Sequence, residues 1–210
     1  MQRVEIKNRD VLDILEDFRY TYFEKYCVPD ICSMVGKGSD REHYTSNEFR
    51  DEIIRQGTKH EGGGGHGHGY MLKPDHLRVP VDGYSDDWFN LDRRMKVELG
   101  LDVSALSTMY PPNGYIEWHN NANAPAHNLI FTYSETGEGN FTYYDMETER
   151  NVVMKDPKGW SLKAGYFGSY ESDKLVYHCA STDCWRLTLS YVLGHNLEYW
   201  KDCLDYISEE

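Results

Sequence analysis

The sequence lacks any uninterrupted apolar stretch near the roughly 20 residues that a membrane-crossing helix needs, which excludes a helical membrane protein. Basic residues are scarce: 22 Lys and Arg stand against 35 Asp and Glu, a formal net charge of −13. Nucleic-acid affinity comes largely from cations neutralising phosphates, and no basic cluster offsets this imbalance, so DNA and RNA are not expected partners. Cysteine is sparse and odd in number. Cys27, Cys32, Cys179, Cys184 and Cys203 sit in a chain too large to need disulfide staples, which suits reduced thiols. The two C-x4-C pairs are wider than the usual structural zinc spacing, so ordinary thiols are the expected reading. The opening Met1-Gln2-Arg3-Val4-Glu5-Ile6-Lys7 is charged and has no apolar core of an export signal, so a cytoplasmic location is expected.

What is present is a 210-residue chain with 40% apolar residues, enough for one full core. Leu12, Leu15, Phe18, Tyr22, Phe23 and Tyr26 recur at helical spacing, predicting a helix over about 10–27 after a cap at Asp10. Thr45 and Glu48 stand in capping-box spacing ahead of Phe49, Ile53 and Ile54, predicting a second helix that stops at Gly57. Ser85 caps a third over about 85–98, with Trp88, Leu91 and Met95 on one stripe. Between them, Glu61-Gly62-Gly63-Gly64-Gly65-His66-Gly67-His68-Gly69 is so rich in glycine that backbone entropy opposes a fixed structure, and the stretch 58–70 reads as a flexible surface loop. His60, His66 and His68 are metal donors of ordinary type, but such tracts are more often simply flexible.

From about residue 103 the period becomes two. Turn signals at Pro111-Pro112-Asn113-Gly114, Gly137-Glu138-Gly139, Asp156-Pro157-Lys158-Gly159 and Gly168 separate eight short runs, near 104–110, 115–119, 128–133, 140–145, 150–154, 161–167, 174–179 and 185–193. Leu197, Trp200, Leu204 and Ile207 predict a closing helix over 196–208. The expected fold is mainly β with flanking helices: a double-stranded β-helix, or jelly roll, over 103–195, with the helical extension 1–102 packed on it as one domain.

Strand alternation selects the polar residues that turn inward. It groups Tyr115, Glu117 and His119 on one face, with Asn121 just beyond, and Ile116 and Trp118 on the other. It groups Val176 with His178, and Arg186 with Thr188 and Ser190, opposite Leu187, Leu189 and Tyr191. An arginine inside a small barrel needs a counter-charge, and its planar fork suits a carboxylate, so a bound anionic ligand is expected.

These residues carry a resemblance. The order Tyr110-Pro111-Pro112-Asn113-Gly114, His119-Asn120-Asn121, Asn128-Leu129-Ile130-Phe131-Thr132-Tyr133, Gly139-Asn140-Phe141-Thr142-Tyr143-Tyr144-Asp145, Gly165-Tyr166-Phe167, Tyr177-His178 and Arg186-Leu187-Thr188 resembles the 2-oxoglutarate and Fe(II)-dependent oxygenases of the prolyl-hydroxylase-like group, in the form seen in marine phage and metagenomic sequences. It spans about residues 104–193. The resemblance implies that His119 and His178 bind iron, that Arg186 pairs with the distal carboxylate of 2-oxoglutarate, and that Thr188, Tyr133 and Asn128 bond the same ligand. The family usually carries Asp or Glu two residues after the first histidine; this chain carries Asn121, whose neutral amide oxygen the resemblance puts forward as the third metal ligand, supplying no charge.

Three functions compete at this level. The first is an iron oxygenase (a dioxygenase among the oxidoreductases) that releases succinate and carbon dioxide while hydroxylating a small-molecule or peptide substrate. The second is a jelly-roll binding protein that lacks the acidic ligand and keeps the pocket. The third is a mononuclear metal enzyme using His119, His127 and His178. A cupin of the His-x-His type is disfavoured, since Asn121 occupies the second histidine position.

Overall fold

The computed structural model describes residues 1–27, 36–57, 65–72, 84–122, 124–170, 174–194 and 196–210. The elements in chain order are β1 (Gln2–Val4), α1 (Arg9–Tyr22), α2 (Arg41–Tyr44), α3 (Asn47–Gln56), β2 (Gly67–His68), β3 (Tyr70–Met71), α4 (Tyr84–Leu99), β4 (Val103–Tyr110), β5 (Tyr115–His119), β6 (Ala126–Ser134), β7 (Gly139–Asp145), β8 (Arg150–Lys155), β9 (Gly159–Phe167), β10 (Tyr177–Thr182), β11 (Arg186–Val192) and α5 (Leu197–Ser208).

Strands β4 to β11 pass back and forth between two antiparallel sheets, only the β7–β8 hairpin staying within one, as in a jelly roll: one sheet runs β1-β9-β6-β11-β4-β3 and the other β2-β5-β10-β7-β8. The eight core strands match the expected runs, although β10 begins three residues later than the predicted 174. The three short strands extend the sheets. β1 lies along β9, with Arg3 opposite Lys163, and shields an edge that would otherwise offer unpaired backbone groups.

Side-chain parity divides the six-stranded sheet. Met109, Leu129, Phe131, Leu162, Ala164, Leu187, Leu189 and Tyr191 face outward into a core closed by Val11, Leu15 and Phe18 of α1, Leu91 and Met95 of α4, and Leu204 and Ile207 of α5. The opposite face looks toward the second sheet. That sheet's back is covered by α3, where Ile53 meets Trp118, Tyr177 and Cys179, and the Trp118 indole donates to the Thr45 carbonyl at 3.0 Å.

Helix ends shift by a few residues from the sequence reading. Asn8, not Asp10, caps α1 by accepting from the Asp10 and Val11 amides, and the helix ends at Tyr22, giving way to a tighter turn over Glu24–Tyr26. Ser46, not Thr45, caps α3 through the Phe49 amide at 3.1 Å. Gly57 ends α3 with a φ of 53°. Ser85 lies inside α4 rather than before it.

Part of the glycine-histidine stretch is ordered. Gly67 and His68 pair with Ile116 and Tyr115, and the buried Glu117 carboxylate accepts from the Gly65 amide and from His66 Nδ1 at 2.9 Å. His66 also stacks on Tyr44, ring centres 4.4 Å apart. Anchors of this kind offset the backbone entropy of the glycines. At Gly69 the glycine is required, because a Cβ there would stand 2.9 Å from the Met109 carbonyl oxygen. His60 and residues 61–64 lie outside the described residues.

Candidate metal centre

β5 and β10 run antiparallel with His119 directly opposite His178. Further along the same pair Ile116 faces Ala180, so three residue steps on β5 oppose two on β10, a β-bulge. The extra residue corrects the simple alternation expected for this strand. Ile116 and His119 both line the space between the sheets, whereas Glu117 turns to His66 and Tyr115 to Tyr44.

The two imidazoles are held in one tautomer. His119 Nδ1 donates to the Glu117 carbonyl at 2.7 Å, and His178 Nδ1 donates to the Val176 carbonyl at 3.1 Å. A carbonyl only accepts, so each ring carries its proton on Nδ1 and keeps the lone pair of Nε2, the nitrogen a metal could take. The ring centres are 4.2 Å apart with planes tilted by 52°. Two imidazoles bound side by side to one ion through bonds of about 2.1 Å would place their centres roughly 4.5 Å apart. Burial, reinforced by the neighbouring His119, holds His178 well below the ordinary histidine value, so its ring stays neutral as a metal ligand must. Asn121 lines the same cavity just past the end of β5. Among the described residues no cluster of three His, Cys, Asp or Glu side chains forms. The donor set thus fits a divalent metal on His119 and His178, with the neutral Asn121 amide as neighbour.

The cavity, about 720 Å³, falls in the range of small-ligand sites, and Asn128, Arg186, Thr188 and Ser190 also line it. Arg186 is 2% exposed. Its guanidinium donates through Nη1 to Thr188 Oγ1 at 2.6 Å, and its charged end lies 5.5 Å from the Tyr110 ring centre. Asn128 uses its amide to donate to the Ala126 carbonyl at 2.9 Å.

Three expectations are corrected here. Arg186 is not without a protein counter-charge, because its Nε donates to Asp156 Oδ2 at 2.7 Å. The other Asp156 oxygen accepts from Lys163 Nζ. Tyr133 is not brought to the cavity: the parity of β6 sends it to the outer face, where it packs edge-on to Phe23 at 4.6 Å. His127 shares that parity and lies against Tyr166 and Trp200, so it does not complete a three-histidine centre.

Asp156 and Lys163 were missed in the sequence. In sequence Asp156 is simply part of a turn; in the fold, burial, which raises a carboxyl pKa, is overcome by Arg186 and Lys163, and the group lies below the ordinary carboxylate range. Lys163 carried a legible signal. Ser161, Lys163 and Gly165 alternate with Leu162 and Ala164, which places a lysine on the inward parity of a buried strand.

No protein-family model and no curated protein matches the chain. Among solved structures it is similar to a viral collagen prolyl hydroxylase from Paramecium Bursaria Chlorella virus-1, in complex with 2-oxoglutarate, at 13% identity over 71% of this chain and 91% of that one, with a TM-score of 0.31. It is also similar to a prolyl hydroxylase from Trichoplax adhaerens, in complex with a hypoxia inducible factor peptide fragment, at 9% identity over 97% and 98% of the two chains, with a TM-score of 0.37. A predicted oxalate decarboxylase from Thermotoga maritima matches at 16% identity over 43% and 67%, with a TM-score of 0.26. Likenesses of this size carry no functional assignment, which rests on the side chains.

Proposed function

We propose that the chain is a non-haem Fe(II) and 2-oxoglutarate-dependent oxygenase acting on an aliphatic carbon of a small-molecule or peptide substrate. One observation carries the reading: the paired imidazoles of His119 and His178 and the buried Arg186 line a single cavity. His119 and His178 would hold the metal through Nε2, their orientation set by the Glu117 and Val176 carbonyls. Bound iron would supply the redox chemistry, coupling decarboxylation of 2-oxoglutarate to succinate and carbon dioxide with hydroxylation of the substrate by dioxygen. Arg186 would take the distal carboxylate through charge-assisted hydrogen bonds, fixing the cosubstrate's reach toward the histidines. Ile116, Ile130, Phe141 and Phe167 line the same cavity, and these apolar side chains would limit water around a bound cosubstrate.

A second reading is favoured by Asn121, which supplies no charge to a metal: a binding protein that retains the pocket for a small acid. Iron-dependent succinate production separates the two. The oxygenase forms succinate from 2-oxoglutarate in air with Fe(II), and His178→Ala abolishes it. Equal succinate in the two proteins contradicts the reading.

A further inference from the structure

The buried charges beneath the cavity do not cancel. Lys163 is fully buried, Arg186 is 2% exposed and Asp156 is 4% exposed. Asp156 bonds both cations, one to each carboxylate oxygen. Two positive charges and one negative leave a surplus of one positive charge in a place shielded from water, where it is strongly felt.

The three residues are held close by construction. The Asp156 amide donates to the Gly139 carbonyl at 2.8 Å. A Cβ on Gly139 would stand 2.7 Å from Asp156 Oδ2 and 3.2 Å from Arg186 Cδ, so the absence of a side chain there lets the carboxylate reach the guanidinium. Lys163 is not among the residues lining the cavity. Its ammonium donates to Asp156 Oδ1, behind the cavity wall.

We infer that Lys163 and Asp156 are positioning residues for the anion site: Asp156 orients Arg186, and Lys163 cancels the Asp156 charge so that Arg186 remains an anion receptor. This rests on the oxygenase reading and assigns its carboxylate subsite a charge-setting layer. With Asp156 and Arg186 alone the pair would be neutral, and a carboxylate entering the cavity would gain hydrogen bonds but no net attraction. With Lys163 charged, one incoming carboxylate makes the four groups neutral. Among the described residues the charged groups acting on Lys163 are Asp156, Arg186 and, on the neighbouring β1, Arg3, whose guanidinium donates to the Lys155 carbonyl. Burial pushes the Lys163 ammonium down to about 8, Asp156 opposing and Arg186 adding to the fall. Carboxylate affinity should therefore decline as pH rises through this range, because deprotonation removes the surplus.

The test is binding of 2-oxoglutarate to the full chain, loaded anaerobically with Fe(II), by titration calorimetry. Lys163→Met should weaken binding at least tenfold at pH 7, and Lys163→Met combined with Asp156→Asn should recover most of it, since Arg186 alone again carries one positive charge. A purely structural role would not produce recovery on adding a second core substitution. The wild-type chain, compared at pH 7 and pH 9, provides a measurement that does not depend on a variant folding: the dissociation constant should rise at pH 9. Binding by wild type that is unchanged in Lys163→Met, or flat between the two pH values, overturns the charge-setting role while leaving the oxygenase reading in place. No binding by the wild type overturns both.

Discussion

A buried surplus charge that favours an anion should burden the protein without one, and the burden can be sized. Lys163 loses its proton near pH 8 in the native protein against an ordinary value of 10.5. That difference is equivalent to about 3 kcal/mol against the charged native state at neutral pH. Between about pH 8 and 10.5 the unfolded chain holds the proton and the native chain does not, so raising the pH favours folding by up to about 1.4 kcal/mol per pH unit from this group. Below pH 8 the full penalty applies. Lys163→Met has no such proton. The variant forfeits the hydrogen bond to Asp156, but Arg186 still holds that carboxylate, so the anion is not orphaned. The measurement is urea unfolding of wild type and Lys163→Met, metal-free and without cosubstrate, from pH 7.5 to 10. Thiols and phenols titrate equally in both, and the difference isolates Lys163. Wild type should gain about 2 kcal/mol relative to the variant across that range. Parallel stability curves would refute the reasoning, because they would mean that Lys163 keeps its proton in the fold as readily as in the unfolded chain.

Arg186→Ala should cost on the order of 2 to 5 kcal/mol of 2-oxoglutarate binding, since a desolvated carboxylate loses its charge-assisted partner; an unchanged dissociation constant in calorimetry, with the variant folded, removes Arg186 from the ligand site. Asn121→Asp adds a hard anionic oxygen beside His119 and His178, and should raise Fe(II) affinity in the absence of 2-oxoglutarate and raise uncoupled succinate formation. Equal metal affinity and turnover in the two proteins would place residue 121 outside the ligand set. Gly139→Ala should lower unfolding stability by about 1 to 3 kcal/mol through the enforced separation of Asp156 from Arg186, and an unchanged denaturation midpoint would show that the strand absorbs the methyl group.

The inward Arg186, Thr188 and Ser190 were legible because β11 keeps strict alternation over its length, with Leu187, Leu189 and Tyr191 turned to the helical core. The same rule failed on β5. A bulge leaves no mark in a five-residue strand whose side chains are all buried, so Glu117 was grouped with His119 although the two face different surroundings. Tyr133 was misplaced for another reason: its ligand role came with the family resemblance, while alternation from Asn128 and Thr132 already put it on the opposite face. The short strands β1, β2 and β3 escaped because two or three residues cannot display a period. Asp156 stands in a Pro-Gly turn, where an aspartate has ordinary local reasons to occur, and its joint pairing with Lys163 on the strand that follows and Arg186 on β11 is visible only once the sheet is closed.

The central claim is that His119, His178 and Arg186 assemble one iron and 2-oxoglutarate site. Its most direct test is an anaerobic titration of the full chain with Fe(II) and 2-oxoglutarate, followed by visible absorption. A weak charge-transfer band should grow to about one equivalent only when both are present, and should be lost in His178→Ala and in Arg186→Ala. No band in the wild-type protein with both at saturating concentration, or an equal band in the His178→Ala variant, would contradict the account.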